Sequence, residues 1–413
     1  MASSDRGAGF STTKWLAIIG IGEDGLAGLG LRAHELLMQA DLVFGGRRHL
    51  ALASSAIRGE ARPWQTPFDS AMREVLAARG KKVCVLASGD PFHFGVGTVL
   101  ARHVDQAQMI VIPAASAFSL AAARLGWALN EVETVSLHGR PIGRIVRFLH
   151  QGNRILALTS NGDGPAQLAQ LLASEGFGAS RLHVLEALGG AAERVTTHQA
   201  AEFGQARVND LNIVAIEVRA TSQARTVPLG FGLDDALFAH DGQITKRPVR
   251  AATLSALSPR RGELLWDVGA GSGSISIEWL LAHPSMRAIA IEKNEERASR
   301  IGENATRFGV DNLHVVTGPA PQAFAGLEQP DAIFIGGGGS GEGVVQGAIE
   351  ALRPGGRLVA NAVTLEMEAL LLALHQRLGG ELLRLALAVA GPVGSMRGWR
   401  PAMPVTQFSW VKP

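Results

Sequence analysis

Short apolar runs alternate with longer amphipathic stretches along most of the 413-residue chain. In the first half the apolar runs are WLAIIGIG from Trp15, DLVFGG from Asp41, KVCVLASGD from Lys82, MIVIPAA from Met109, RILALTS from Arg154, LHVLEAL from Leu182 and NIVAIEV from Asn212. Each has strand length, and most end in Gly, Ser or Asp, the usual punctuation at the carboxyl end of a parallel strand. Between them, LRAHELLMQA from Leu31 and GPAQLAQLLASEGFG from Gly164 carry helical spacing. The alternation predicts α/β layers.

A polar stretch with Pro228 and several glycines interrupts the pattern near 225–235, without a long Ser/Gly tether. The boundary expected there divides the chain into domains 1–228 and 229–413. Beyond it the pattern is cleaner. ELLWDVGAG from Glu263 leads into a helix through Trp279, and RAIAIE from Arg287 leads into a helix across NEERASRIGENATRFG. On that second helix Ile301, Ala305 and Phe308 share a face, and Gly309 is placed to stop it. LHVVTG, DAIFIGGG and GRLVANAV supply further strands. The order predicts a doubly wound sheet with a ligand crevice at the carboxyl ends of its first strands.

Composition changes this picture little. The length exceeds one ordinary core, and 46% hydrophobic with 18% charged residues describes well-packed globular domains. A net charge of +2 offers no global field for nucleic acid. A single cysteine, Cys84, excludes an internal disulfide framework and fits a reducing cytoplasm. The opening MASSDRGAGFSTTKW lacks a signal-peptide apolar core, and no apolar run reaches the roughly 20 residues of a membrane helix. The expectation is a soluble, cytoplasmic, two-domain protein that binds neither nucleic acid nor membrane.

The candidate chemistry lies in two unlike glycine loops. Gly269-Ala-Gly271-Ser-Gly273 follows an apolar strand and opens a helix, so its backbone can approach a ligand. It departs from the dinucleotide fingerprint G-x-G-x-x-G, with Ser274 where the last glycine belongs. Glu292 ends the next strand, where a carboxylate can accept both hydroxyls of a ribose. Asp267 either orients the ligand or caps the turn. Loop and acid together resemble the class I S-adenosylmethionine methyltransferases. In that class the segment before the first strand folds over the cofactor, which brings in Thr245 and Lys246. The segment TGPAP, Thr317 to Pro321, carries Pro319 in place of the family's acid, leaving the Ala320 backbone as the contact.

The first loop, GIGEDG from Gly20, is joined by ASGDPFHFGVG, IPAASAFSLAAARLGW and LHGRP. In this combination and order they resemble the tetrapyrrole methylases, which bind S-adenosylmethionine between two α/β subdomains. The matching positions are Gly20, Gly22 and Gly25; Gly89, Asp90, Pro91 and Gly95; and Pro113, Ser116 and Ala117. Glu23 and Asp24 stand where many members have Gly-Pro.

A tetrapyrrole methylase half joined to a Rossmann-like class I half resembles the bifunctional methyltransferases of cobalamin biosynthesis over nearly the whole chain. The resemblance implies two S-adenosylmethionine sites, one per domain. It implies C5 methylation of a precorrin by the first domain, and C15 methylation with C12 acetate decarboxylation by the second. It calls for no metal. Asn361 and Glu366, after the fifth strand of the second sheet, are expected to touch the macrocycle beside Lys246. Arg47, Arg48, His49, Arg247, Arg250, Arg397 and Arg400 are candidates for its carboxylates, with His93 and His138 as further contacts. A homo-oligomer is also implied, with a tetramer through the second domain as its candidate form and the apolar segment from Glu368 to Val389 as its candidate surface. The alternatives are a methyltransferase acting on RNA, a nicotinamide-dependent oxidoreductase and a non-catalytic tetrapyrrole carrier. The neutral charge and sparse aromatics weigh against RNA, Ser274 against the nicotinamide enzyme, and two cofactor loops against the carrier.

Overall fold

Every residue of the run Leu16–Ile21 is buried, as an apolar run without polar alternation requires of a strand covered on both faces. The structure, a computed structural model, describes residues 10–11, 13–65, 68–204 and 207–413. Residues 1–9 and 12 of the opening stretch therefore lie outside the described residues. The chain divides into two compact units: one runs to Arg140 and includes Phe148–Arg225, the other comprises Pro141–Arg147 and Thr226–Pro413.

In the first unit, β1 (Leu16–Ile21), β2 (Leu42–Gly45), β3 (Glu60–Pro63), β4 (Val83–Ser88) and β5 (Met109–Ile112) form a parallel sheet in the order β3-β2-β4-β1-β5. Cys84 sits inside β4, where burial pushes its thiol pKa up and leaves it inert. A second sheet contains β6 (Glu133–Ser136), β7 (Arg154–Leu158), β8 (Arg181–Glu186), β9 (Arg194–Gln199) and β10 (Asn212–Glu217), in the order β6-β7-β10-β8-β9. Only the β6–β7 pair is parallel. RILALTS ends in the Ser expected of a parallel strand, yet it pairs antiparallel with β10 as well as parallel with β6. β8 turns straight back into the exposed edge strand β9, and β10 inserts antiparallel on its other side.

The second unit is built on β11 (Leu264–Val268), β12 (Arg287–Glu292), β13 (His314–Thr317), β14 (Ala332–Ile335), β15 (Arg357–Ala362), β16 (Glu381–Leu385) and β19 (Val405–Val411), in the order β13-β12-β11-β14-β15-β19-β16. The order reverses beside β11, which opens a crevice at its carboxyl end. Helix Glu295–Arg307 shows how the local sequence supports this layout. The Asn294 side chain accepts the Arg297 N–H at 3.0 Å, and Glu295 and Glu296 occupy the positive first turn. Ile301, Ala305 and Phe308 are buried on one face, and Gly309 follows at φ +66°. From Glu368 the chain runs as helix and then β16, with Leu371 and Leu374 buried but Leu372 and Leu383 exposed. Further exposed apolar side chains lie in a hairpin, β17 (Ala388–Val393) with β18 (Met396–Pro401), which starts at the end of that segment and which the sequence pattern did not predict. Among the described residues no helix is long and apolar enough to cross a membrane.

Candidate functional sites

In the first unit the three candidate segments meet because their backbones touch. Gly89 has φ +58°, and a Cβ there would lie 2.9 Å from the Cα of Ser116. Only glycine lets the loop after β4 press against the start of the helix Ala117–Leu125. Ser116 caps that helix, its Oγ accepting the Ser119 N–H at 3.2 Å. A cavity of 970 Å³ opens beside this junction, lined by Gly22, Gly89, Gly95, Ser116 and Ala117. Asp90 is corrected. Its carboxylate accepts the Phe92 N–H at 2.8 Å and holds the turn, and it does not line the cavity.

Arg48, His49, His93, His138, Arg102 and Arg140 line the same cavity. The exposed Arg47 does not. Arg48 pairs with Glu23, the residue that departs from the family loop, and also reaches Ser88 Oγ at 3.3 Å. Burial, then the adjacent Arg48 charge, pushes the His49 pKa down to about 4, so its ring is neutral at neutral pH.

In the second unit a cavity of 930 Å³ lies at the carboxyl end of β11. Gly269, Gly271, Glu292, Thr245, Lys246 and Ala320 all line it, with Gly336–Gly338 of the glycine run that follows β14 and the unpredicted Gln243, Lys293 and Arg297. Gln243 was legible only as a neighbour of Thr245, and Arg297 only as one exposed turn of a helix. Glu292 is buried; its Oε2 accepts the Gly271 N–H at 2.9 Å and its Oε1 the Asn294 N–H at 3.0 Å. A carboxylate has acceptor capacity beyond these two bonds. Asp267 lies beneath the loop. Its Oδ2 accepts from Ser276 N at 3.1 Å and from Ser276 Oγ at 2.7 Å, while Oδ1 is buried without a partner. Burial raises its pKa to about 6 against the Ser276 bonds, helped by the Glu292 charge. Gly273, at φ +74°, packs against Ile301 behind the cavity wall.

Three further expectations are corrected. Asn361 does not line the cavity: its Nδ2 donates to Thr253 Oγ1 at 2.9 Å and its Oδ1 accepts from Gln407 at 2.9 Å, so its amide is committed to joining strand and helix. Glu366 is exposed in the first turn of helix Leu365–Leu378, where it favours the helix N-terminus. Arg250 is fully buried and ion-paired to Glu278 and Asp235, which withdraws it from any ligand. Arg247, Arg397 and Arg400 are exposed and line neither cavity. Among the described residues no group of three or more His, Cys, Asp or Glu side chains is arranged to hold a metal ion.

The buried His49 and Asp267 respond to acid in opposite senses. Folded His49 titrates near 4 against 6.5 for the free group, so the unfolded chain takes up a proton that the folded one refuses. The first unit's stability from this group is complete above about 6.5 and is lost as pH falls toward 4. Folded Asp267 titrates near 6 against 3.8, so the folded chain holds the extra proton. The second unit gains stability as pH falls from about 6 toward 4, and loses it again as pH rises. Each full effect is about 3 kcal/mol. Scanning calorimetry from pH 4 to 8 should show the His49→Gln and Asp267→Asn differences from the parent running with opposite slopes. Parallel slopes would contradict this.

Each unit carries a glycine-lined cavity at the carboxyl ends of parallel strands, and the class this fold and these loops define is a methyltransferase. Residues 16–204 match the family model of tetrapyrrole (corrin/porphyrin) methylases, and residues 236–412 match that of a precorrin methyltransferase domain. The chain is 63% identical, over 97% of its own length and 97% of the relative's, to a precorrin-6Y C(5,15)-methyltransferase (decarboxylating) from Sinorhizobium sp. It is 40% identical, over 96% of its length and 100% of the relative's, to one from Mycobacterium tuberculosis. A cobalt-precorrin-6B C(15)-methyltransferase (decarboxylating) from Salmonella typhimurium is 36% identical over 42% of this chain and 92% of its own. The chain belongs to the precorrin-6Y C(5,15)-methyltransferase (decarboxylating) family.

Proposed function

We propose that this chain transfers two methyl groups from S-adenosylmethionine to one precorrin macrocycle, taking precorrin-6B to precorrin-8X. The first domain, 1–228 in the sequence division, would methylate C5; the second, 229–413, would methylate C15 and remove the C12 acetate carboxylate. The observation that carries the reading is the presence of two separate cavities of 970 and 930 Å³, each in the size range of a bound organic ligand. The Salmonella relative, named for C(15) methylation with decarboxylation and matched over 42% of this chain, supports a division of labour between two halves.

The second cavity fits a cationic, ribose-bearing cofactor on this structure's own evidence. Glu292 lines it at the end of β12 with lone pairs to spare, while Asp267 is buried beneath the glycine loop and does not line it. In the first cavity Gly22, Gly89, Gly95, Ser116 and Ala117 leave backbone free to approach a ligand, with Asp90 holding the turn behind them. S-adenosylmethionine supplies a sulfonium-activated methyl group when bound. The residues of each cavity have only to hold donor and carbon in line and keep water away. Lys246, exposed at the rim and 3.8 Å from Asp235, is suited to a substrate carboxylate. Loss of the C12 carboxylate needs an electron sink, which the conjugated macrocycle itself provides.

The same reading extends to a cytoplasmic homo-oligomer joined through the second unit. Val389, Val393, Met396 and Trp399 on the β17–β18 hairpin are 58–76% exposed, more than a lone apolar surface favours. The test is calorimetric titration of S-adenosylhomocysteine into the full chain. Two sites are expected, falling to one in Gly89→Ala, which alters only the first unit. A single site in the unaltered chain would remove the C5 assignment.

A further inference from the structure

We propose that Phe92 and Phe94 form an aromatic platform for the flat face of the tetrapyrrole in the first-unit cavity, and so determine substrate binding for C5 methylation. This rests on the reading of that cavity given above. Phe94 has φ +59°, a left-handed backbone that a bulky residue rarely adopts. The loop enforces this geometry: Cβ atoms at Gly95 and Gly97 would lie 2.5 and 2.7 Å from the Pro91 carbonyl oxygen. Glycine would satisfy position 94 without strain, yet an aromatic ring stands there.

Packing within the protein does not account for that ring. Phe94 meets Phe118 at 5.7 Å and His93 at 5.0 Å between centroids, yet it stays 48% exposed, and Phe92 stays 43% exposed. Both line the cavity. Local strain that still leaves the residue half exposed is retained where a ligand completes the contact. A planar conjugated ring system is the ligand that stacks on such rings. The guanidinium groups of Arg48 and Arg140 line the same cavity and suit the carboxylates at a macrocycle's edge. A platform for a small apolar molecule would not need them.

The experiment measures KM for precorrin separately at C5 and C15 in the full chain, by product mass and position, with Phe94→Gly and Phe92→Ala. Glycine at 94 relieves the backbone while deleting the ring, so Tm is expected to stay level or rise. KM at C5 is expected to rise about tenfold for each variant, while C15 methylation and S-adenosylhomocysteine binding in the second unit stay unchanged. Equal effects at C5 and C15, or none at C5, would overturn the platform while leaving the two-site reading intact. An unaltered chain that methylates C15 but never C5 would overturn that reading, and the platform with it.

Discussion

Gly269→Ala is expected to abolish one of the two proposed S-adenosylhomocysteine sites and to destabilise the second unit alone. Position 269 has φ +71°, and a Cβ there would lie 2.3 Å from the Gly337 carbonyl oxygen and 2.8 Å from its Cα. The left-handed backbone alone costs alanine about 1–2 kcal/mol. The clash adds to it, because the obstacle is backbone and cannot rotate away. The loop after β11 and the loop after β14 must then separate, and both line the cofactor cavity. Calorimetric stoichiometry should drop from two to one, with the second-unit unfolding transition lowered by about 2–4 kcal/mol. Gly302→Ala is the internal control. It lies within helix Glu295–Arg307 with nothing within 4 Å of an added Cβ, so alanine there should stabilise by about 0.5–1 kcal/mol. If both variants bind two equivalents, the close approach of these loops does not shape the site.

This contrast shows what the sequence makes legible. Local signals survive folding well. The helix at Ile301, Ala305 and Phe308, the glycine loop, and Glu292 at the end of β12 were each readable because the periodicity, the cap and the strand end lie within a few residues of one another. Signals that depend on distant partners did not survive. Asn361 reads as a pocket residue because it follows a strand of the right rank. Its register against Gln407 on β19, and its bond to Thr253 from a helix 108 residues away, are set by tertiary packing. β17 and β18 contain Gly391, Pro392 and Gly398, residues that weaken a strand reading. The two cavities were recognised through their loops, while charged wall residues such as Arg102, on a turn, and Arg297, on the polar side of a legible helix, carry no local signal that ties them to a cavity.

Arg250 is the sharpest case, and replacing it should have the largest effect on stability. In RPVRAATLSAL it reads as one of several basic side chains at the start of a helix. The informative residue lies elsewhere, for SISIEWLLA carries Glu278 in a helix otherwise buried on nearly every side, and a buried carboxylate demands a partner. Arg250 Nε donates to Glu278 Oε1 at 2.5 Å and Nη1 to Asp235 Oδ1 at 3.0 Å; it also donates to the carbonyls of Leu233 and Thr245. Glu278 in turn accepts from Gly232 N at 2.6 Å and Leu233 N at 3.0 Å. The pair therefore ties segment 232–245 to the helix that follows the glycine loop, and Gln243 to Lys246 of that segment line the cavity. Arg250→Met leaves the Glu278 charge buried and uncompensated, and should cost the second unit about 3–5 kcal/mol in urea unfolding. S-adenosylhomocysteine affinity at the second site should weaken with it, the first site being unaffected. Glu278→Gln on the Arg250→Met background removes the stranded charge and keeps an acceptor for the Gly232 N–H, so part of the loss should return. That recovery gives a coupling of about 1–3 kcal/mol in the double-mutant cycle. Strictly additive losses would show that the two side chains stabilise the unit separately, and that no latch joins segment 232–245 to the helix.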